Sequence, residues 1–535
     1  MRTESDVTNQ PPPLAGYNLF LENRPLVESL AREDADWAHD RAAVFGELLA
    51  GEPQEWGRLA NESPPKLRTH DRFGNRIDEV EFHPAWHSLL GTSVAHGLHA
   101  LSWREPRPGA HVARATLFAL MAQVEAGHTC PVSMTHAAVP ALRAQPDLAA
   151  EWEPLLTSLD YETGLRPAAE KPGALCGMAM TERQGGSDVR ANTTRAEPLD
   201  GGEYELTGHK WFCSAPMCDA FLVLAQADGG LSCFLLPRVL PGGTRNGFRI
   251  QRLKDKLGDR SNASSEIELD RARARLVGEE GRGVPTIIEM VNHTRLDCVL
   301  GTAAGMRAAV EQATHHAAYR SAFGRLLADQ PTMQNVLADL CVESEAATLT
   351  AIRLAGAYDR DERAFGRIAT AVAKYWVCKR GPGHAAEALE CLGGNGYVEE
   401  SVMPRIYRQQ PLQSIWEGSG NVICLDVLRA LGRSPETLDA FLHECRLAAG
   451  EDARLDAWLA ALESDLREPD EPGARRLVER MALALQASLL VRHGDPAVAD
   501  AFCASRLGGS GGLAYGTLPH GTDPTAIVER HRPRI

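Results

Sequence analysis

The sequence predicts an α+β fold, mainly α: a helical segment, a small β domain and a helical bundle, followed by an extra helical section. Three observations predict it. Apolar residues recur at three- and four-residue spacing from about Leu26 to Ala169. Short apolar or alternating runs, split by Gly, Pro, Asp and Asn, follow from Pro172 onward. From Pro285 long Ala/Leu-rich helical periodicity returns. The expected domains are 1–175, 176–284, 285–432 and 433–535.

In chain order, the amino-terminal MRTESDVTNQPPPLAGYN has no apolar core and reads as a polar lead-in with a proline run, not a secretory signal. Arg24–Ala50 and Gly109–Val124 carry helical spacing, and Asn61–Pro84 holds a DRFGN turn. Val124–Pro131 gathers Glu125, His128 and Cys130, which a helix end with a satisfied histidine explains without chemistry. Strands are expected at Leu175–Ala179, Arg195–Thr207, Ala220–Ala225, Leu231–Pro237, Phe248–Arg252 and Ser265–Leu269, with Asp200-Gly-Gly202 as a hairpin turn. Thr286–Arg320, Thr332–Asp359, Glu362–Leu392 and Asn421–Leu431 are long and amphipathic, as in an antiparallel bundle. Helical pattern continues past Pro435 to about Leu507. The Gly-rich GGSGGLAYG and an Arg/Pro/His tail after it are expected to be mobile.

Composition narrows the function. The 535 residues are 44% apolar and carry a net charge of −15, which argues against whole-surface attraction to nucleic acid or anionic membrane. Only seven of the 56 basic residues are lysines, so any local basic patch is made of arginine. No apolar run approaches the ~18 residues of a membrane span, and a cytoplasmic protein is expected. Twelve cysteines without a CxxC pair read as reduced, buried side chains, and no metal site is suggested.

Two distant stretches carry the chemistry. Ser414–Cys424 (SIWEGSGNVIC) places one carboxylate, Glu417, in a Trp/Gly/Ser/Gly loop between apolar helical segments. Met178–Val189 (MAMTERQGGSDV) combines small residues, which let a ligand approach the backbone, with the hydroxyls of Thr181 and Ser187. Lys210–Ala215 (KWFCSA) adds aromatic rings near a strand end. Alone, each is more often a solvated loop, a plain turn or a core pair than a site.

Together with KDKLGDRSNAS, Tyr319–Gly324 (YRSAFG) and Leu392–Tyr397 (LGGNGY), these motifs resemble the acyl-CoA dehydrogenase family in kind, order and spacing. GRLANESPPKLRTHDRFGNRIDEVEFHPAWH, VEAGHTCPVSMTHAA and the section after Leu431 resemble its alkylation-response branch. The resemblance implies a homotetrameric flavoprotein with FAD between the β domain and the bundle. Met178, Ala179, Met180, Thr181 and Ser187 would meet the flavin ring, with Phe212, Cys213 and Ser214 as its other wall. Arg320 and Phe323 would reach the FAD of a neighbouring subunit, in a region lined by Gly393 and Gly394, where Glu390 stands in place of the family's usual glutamine. Trp416, Gly418, Ser419, Gly420 and Asn421 would hold the cofactor beside Glu417.

What the resemblance implies for activity is α,β-dehydrogenation of an acyl-CoA thioester, with Glu417 as base, the flavin as hydride acceptor and an electron-transfer flavoprotein as the next acceptor. Thr294 fills the alternative base position of some members, so Glu417 has no rival. Arg295 is either a partner for a CoA phosphate or a solvated residue. The alternative function is a DNA-binding flavoprotein of the alkylation response with weak dehydrogenase activity, using Arg475, Arg476 and Arg480 on double-stranded DNA, with Arg530, Arg532 and Arg534 as a basic tail. Residues 434–535 hold eleven arginines and no lysine against sixteen acidic residues, a net of −5, which weakens that alternative. A third reading, a flavin-binding helper with a decayed site, is opposed by the retention of Glu417 and the flavin-contact residues.

Overall fold

The structure, a computed structural model, describes residues 8–535. They form two compact units: residues 52–110 with 124–297, and residues 8–51 with 111–123 and 298–535. This division differs from the four expected domains. The amino-terminal helical segment is shared between the two units, and the section after 433 is not a unit of its own.

The first unit is built on a seven-stranded sheet. Its strands are β3 (Cys176–Ala179), β4 (Arg195–Pro198), β5 (Glu203–Ser214), β6 (Ala220–Ala227), β7 (Gly230–Pro237), β8 (Phe248–Leu253) and β9 (Ser264–Val277). They run in the order β3-β6-β4-β5-β9-β7, with β8 on β9 and β7 pairing back onto β6, so the sheet closes on itself. The Asp200–Gly202 turn joins β4 to β5 as expected, Gly201 and Gly202 taking φ of +80° and +79°. β5 and β9 run longer than their apolar runs, because each continues through charged residues on its exposed face. In the same unit the DRFGN segment closes a hairpin of β1 (Lys66–His70) and β2 (Arg76–Glu81), where only a turn was expected. Asp71 makes that turn by accepting the N–H groups of Phe73 (2.8 Å) and Asn75 (2.9 Å), while Gly74 sits at φ +86°.

The second unit is helical. Pro331–Asp359 and Arg363–Cys391, each 29 residues, pack together, with Met403–Gln413 and Gly420–Arg433 against the latter. Helix Pro331–Asp359 buries three carboxylates, Asp339, Glu343 and Glu345. Buried charge is tolerated only when paired, and the pairs come mainly from the carboxyl-terminal section. Arg506 bonds Asp339 and Glu343, Arg380 bonds Glu343 at 3.0 Å, and Arg530 and His531 each reach Glu345 at 2.9 Å. Arg353, from the same helix, holds Glu444 at 2.6 Å. This explains why the extra section shares a unit with the bundle. It also corrects the expected mobile tail: Pro524–His531 is a helix, started by the Asp523 side chain accepting from the Ala526 N–H (3.0 Å), and it packs on Pro331–Asp359. All twelve cysteines are buried and unbridged. No described helix is long and apolar enough to cross a membrane.

Candidate active site

In the first unit, Met178 and Ala179 end buried strand β3, and the chain then leaves the sheet through Met180 and Thr181. The Trp211 N–H donates to the Thr181 carbonyl (2.8 Å), and Asn192 Nδ2 to that of Met180 (2.9 Å), tying this exit to the end of β5. Beneath lies an ion pair of Glu182 and Lys210, 2.9 Å apart and both side chains fully buried. Burial alone would raise the Glu182 carboxyl, but Lys210 and the Thr193 and Thr194 donors pull it down to about 2. A Cβ on Gly186 would stand 2.3 Å from Thr181 Oγ1, so this loop requires glycine there. Ser187 is exposed beside it.

On β5, Phe212 is 53% exposed, and the Ser214 hydroxyl lies 3.2 Å from that of Ser264. Cys213 is a correction. Strand alternation turns its side chain into the core, where it is fully buried and its thiol is pushed up to about 12 by burial, so only its backbone can face a ligand. The unit thus brings Met178–Thr181, Ser187, Phe212 and Ser214 to one end of the sheet, with an exposed ring, hydroxyls and closely approachable backbone. That set fits a planar aromatic cofactor. Arg295 is buried at 7% exposure between Thr294 and Asp297, which are also buried, so its solvated alternative is set aside.

In the second unit, helix Met403–Gln413 ends, and Ser414–Ser419 turns into helix Gly420–Arg433. Trp416 Nε1 donates to Gln413 Oε1 at 2.9 Å. Glu417, half-buried, has φ +58°, and Gly418 follows at +109°. The buried ammonium of Lys374 donates to the Gly418 carbonyl. Ser419 caps the following helix without using its hydroxyl. The N–H groups of that first turn and the helix dipole suit a phosphate, so Ser419, Gly420 and Asn421 fit the diphosphate of FAD.

Arg320 leads into a hairpin whose two-residue turn, Phe323 (φ +53°) and Gly324 (φ +78°), is left-handed. Phe323 is fully exposed at its tip. Arg320 Nη1 donates to the Asn9 carbonyl (2.6 Å), Asn9 exchanges two hydrogen bonds with Ser321, and neighbouring Gln10 accepts from Asn395 Nδ2 (2.9 Å). The hairpin and the Gly393–Gly394 turn are therefore laced together by residues that looked like a plain lead-in. Glu390 is exposed.

Three family models match the chain: the adaptive response protein AidB N-terminal domain over residues 9–163, and the acyl-CoA dehydrogenase middle and C-terminal domains over 177–272 and 281–432. AidB of Escherichia coli (strain K12) is 46% identical over 95% of each chain. The chain belongs to the acyl-CoA dehydrogenase family, in the branch that holds AidB. Acyl-CoA dehydrogenase family member 11 of Caenorhabditis elegans is 32% identical, covering 84% of this chain and 77% of its own. Among solved structures, the apo-form of Bd2924 is 28% identical with a TM-score of 0.85, over 92% of this chain and all of its own. C. elegans ACDH-11 in complex with C11-CoA is 26% identical with a TM-score of 0.84, over 99% and 93%. Like the rest of the acyl-CoA dehydrogenase family, this chain is a FAD-dependent oxidoreductase.

The arginines singled out for DNA do not form one open patch. Arg475 Nε donates to the Tyr375 hydroxyl (3.0 Å), and Arg480 pairs with Asp465 (2.8 Å) and lies over Trp458. Arg476 is exposed. Of the tail, Arg530 is 9% exposed and ion-paired to Glu28 as well as Glu345, and Arg532 pairs with Glu529.

Residues the sequence reading missed include Lys374, Lys210 with Glu182, and Asn9 with Gln10. For Lys374 a signal existed: a lysine on the apolar face of Arg363–Cys391, in a chain with only seven, needs a buried acceptor.

Proposed function

We propose that this chain oxidises an acyl-CoA thioester at its α,β carbon–carbon bond, with Glu417 removing the α-proton. The observation that carries the reading is the Ser414–Ser419 loop, which holds one half-buried carboxylate on left-handed backbone directly before a helix amino terminus suited to the cofactor's phosphates. A thioester α-proton is weakly acidic, so its removal needs a carboxylate fixed within hydrogen-bond reach. An acyl chain that excludes water around Glu417 favours its neutral form, and so favours proton capture. FAD, when bound, accepts a hydride from the β-carbon. The proposed ring contacts are Met178–Thr181, Ser187, Phe212 and Ser214, with Cys213 acting only through its backbone. Trp416, Gly418, Ser419, Gly420 and Asn421 make the second set.

Arg320, Phe323, Gly393 and Gly394 are proposed to serve a neighbouring subunit's FAD in a homotetramer. The full exposure of Phe323 and the 81% exposure of Tyr397 support this, since large apolar groups held out in solvent mark an interface. The C11-CoA complex of the worm relative supports acyl-CoA as the ligand class. An electron-transfer flavoprotein as acceptor and a cytoplasmic site of action complete the reading. Arg295 remains the proposed cation for a CoA phosphate, reached from its buried position.

The DNA reading has less support, because Arg480 and Arg530 are ion-paired within the protein and Arg475 is bonded through Nε to Tyr375, although Arg475, Arg476 and Arg534 are exposed. If DNA binds through phosphates, a gel shift seen at 50 mM salt disappears at 200 mM.

Glu417→Gln tests the main reading. Turnover with an artificial electron acceptor should fall by ~10²- to 10⁴-fold while FAD and acyl-CoA stay bound. Wild-type turnover in that variant removes Glu417 from the role.

A further inference from the structure

We infer that Lys374 is a positioning residue for the base: its buried ammonium, bonded to the Gly418 carbonyl, holds the Glu417–Gly418 turn in the one geometry from which the carboxylate works. The inference rests on Glu417 being the base.

Glu417 and Gly418 are successive residues in the left-handed region, at φ +58° and +109°. For a residue with a Cβ this conformation costs about 1–2 kcal/mol, so the turn relaxes unless something holds it. It is held from three sides. Before it, Trp416 is bonded to Gln413, itself buried against helix Gly283–Tyr319, where a Cβ on Gly301 would stand 3.2 Å from Gln413 Nε2. After it, Gly420 is seated so closely that a Cβ would lie 3.0 Å from Lys379 Cε and 3.4 Å from the Tyr375 ring. At its centre the Gly418 carbonyl points inward onto Lys374, which is 1% exposed.

Of the three holds, only the central one acts within the left-handed pair itself, on the Gly418–Ser419 peptide one bond beyond Glu417. An inward carbonyl without a donor costs roughly 1–3 kcal/mol, enough to reorient that peptide, relax the Gly418 backbone and, with the left-handed strain at Glu417, let the carboxylate leave its place. A lysine suits the task because its head is a compact donor on a flexible stem, able to reach a single oxygen, whereas an arginine presents a wide planar fork.

The test is stopped-flow reduction of the flavin under anaerobic conditions, using the acyl-CoA that reduces the wild type fastest among butyryl- to undecanoyl-CoA. Lys374→Met should retain its FAD and half-saturate within about threefold of the wild type, yet reduce about 100-fold more slowly, the loss associated with a small misplacement of a catalytic group. Lys374→Arg, which keeps a charged donor, should recover part of that rate. A wild-type limiting rate in Lys374→Met overturns the inference. So does a fall that merely tracks lost FAD, which would mark a structural lysine.

If Lys374→Met does not fold, Gly418→Ala strains the same turn and leaves the lysine in place. It should show the same slow reduction at unchanged half-saturation, and a normal rate overturns the inference. Glu417→Gln serves as control. If it is inactive while Lys374→Met is normal, only the role of Lys374 falls; if it reduces normally, the base assignment falls and this inference with it.

Discussion

At the scale of single residues, the site depends on which side of a strand or loop each side chain occupies. Phe212 and Cys213 are adjacent, yet Phe212 is half in solvent and Cys213 is wholly in the core. Cys213→Ala should therefore leave FAD content unchanged while lowering stability by about 1–2 kcal/mol, measured by urea unfolding. Loss of FAD in that variant would return the side chain to the cofactor wall. The motifs around both residues were legible because spacing and residue type survive in the sequence. The direction of each side chain was not, because a bulge between Lys210 and Cys213 resets the alternation of β5. Glu417 was legible as a lone carboxylate in a Gly/Ser loop, whereas its left-handed backbone depends on Lys374, 43 positions upstream, and no local pattern reports that.

At the scale of elements, the carboxyl-terminal helix Pro524–His531 is held by charge. Burial alone would raise the Glu345 carboxyl, but hydrogen bonds and charges from His531 and Arg530 outweigh it and hold it at about 2. Its folded pKa lies below the ~4.3 of a free glutamate. The resulting stabilisation is fully present above that unfolded value and is lost as pH falls from about 4.5 toward 2. Protection of this helix against hydrogen exchange should therefore fall over that window, after an earlier loss as pH drops below the ordinary histidine value, because burial holds the His531 imidazole below it. Arg530→Ala should destabilise the unit by about 3–5 kcal/mol, because it leaves a buried carboxylate half-paired. Unchanged urea unfolding of Arg530→Ala would contradict the importance of this lock. The helix itself escaped the sequence reading because its flanks are rich in Gly, Pro and Arg. What orders it is a glutamate 185 positions away.

At the scale of the whole molecule, texture alone separated β from α, and the two compact units cut across the domains it suggests. Residues 52–110 and 124–175 look as helical as residues 24–50, yet they share a unit with the sheet. The section after 433 looks like an appended domain, yet Arg506, Arg530 and His531 supply the partners of carboxylates buried in the bundle. A chain ending at Gly432 should consequently fail to give a folded flavoprotein, because Asp339, Glu343 and Glu345 lose those counter-ions. A cooperative unfolding transition from a soluble, FAD-loaded truncation would show the section to be dispensable.

The central claim is that this chain holds FAD and passes the electrons of an acyl-CoA thioester to it with Glu417 as base. The most direct measurement is the visible spectrum of the purified protein, mixed anaerobically with straight-chain acyl-CoAs. The yellow flavin band should bleach with at least one of them, and Glu417→Gln should stay yellow in the same mixture. A FAD-loaded wild type that no acyl-CoA bleaches, or a variant that bleaches as fast as the wild type, would contradict it.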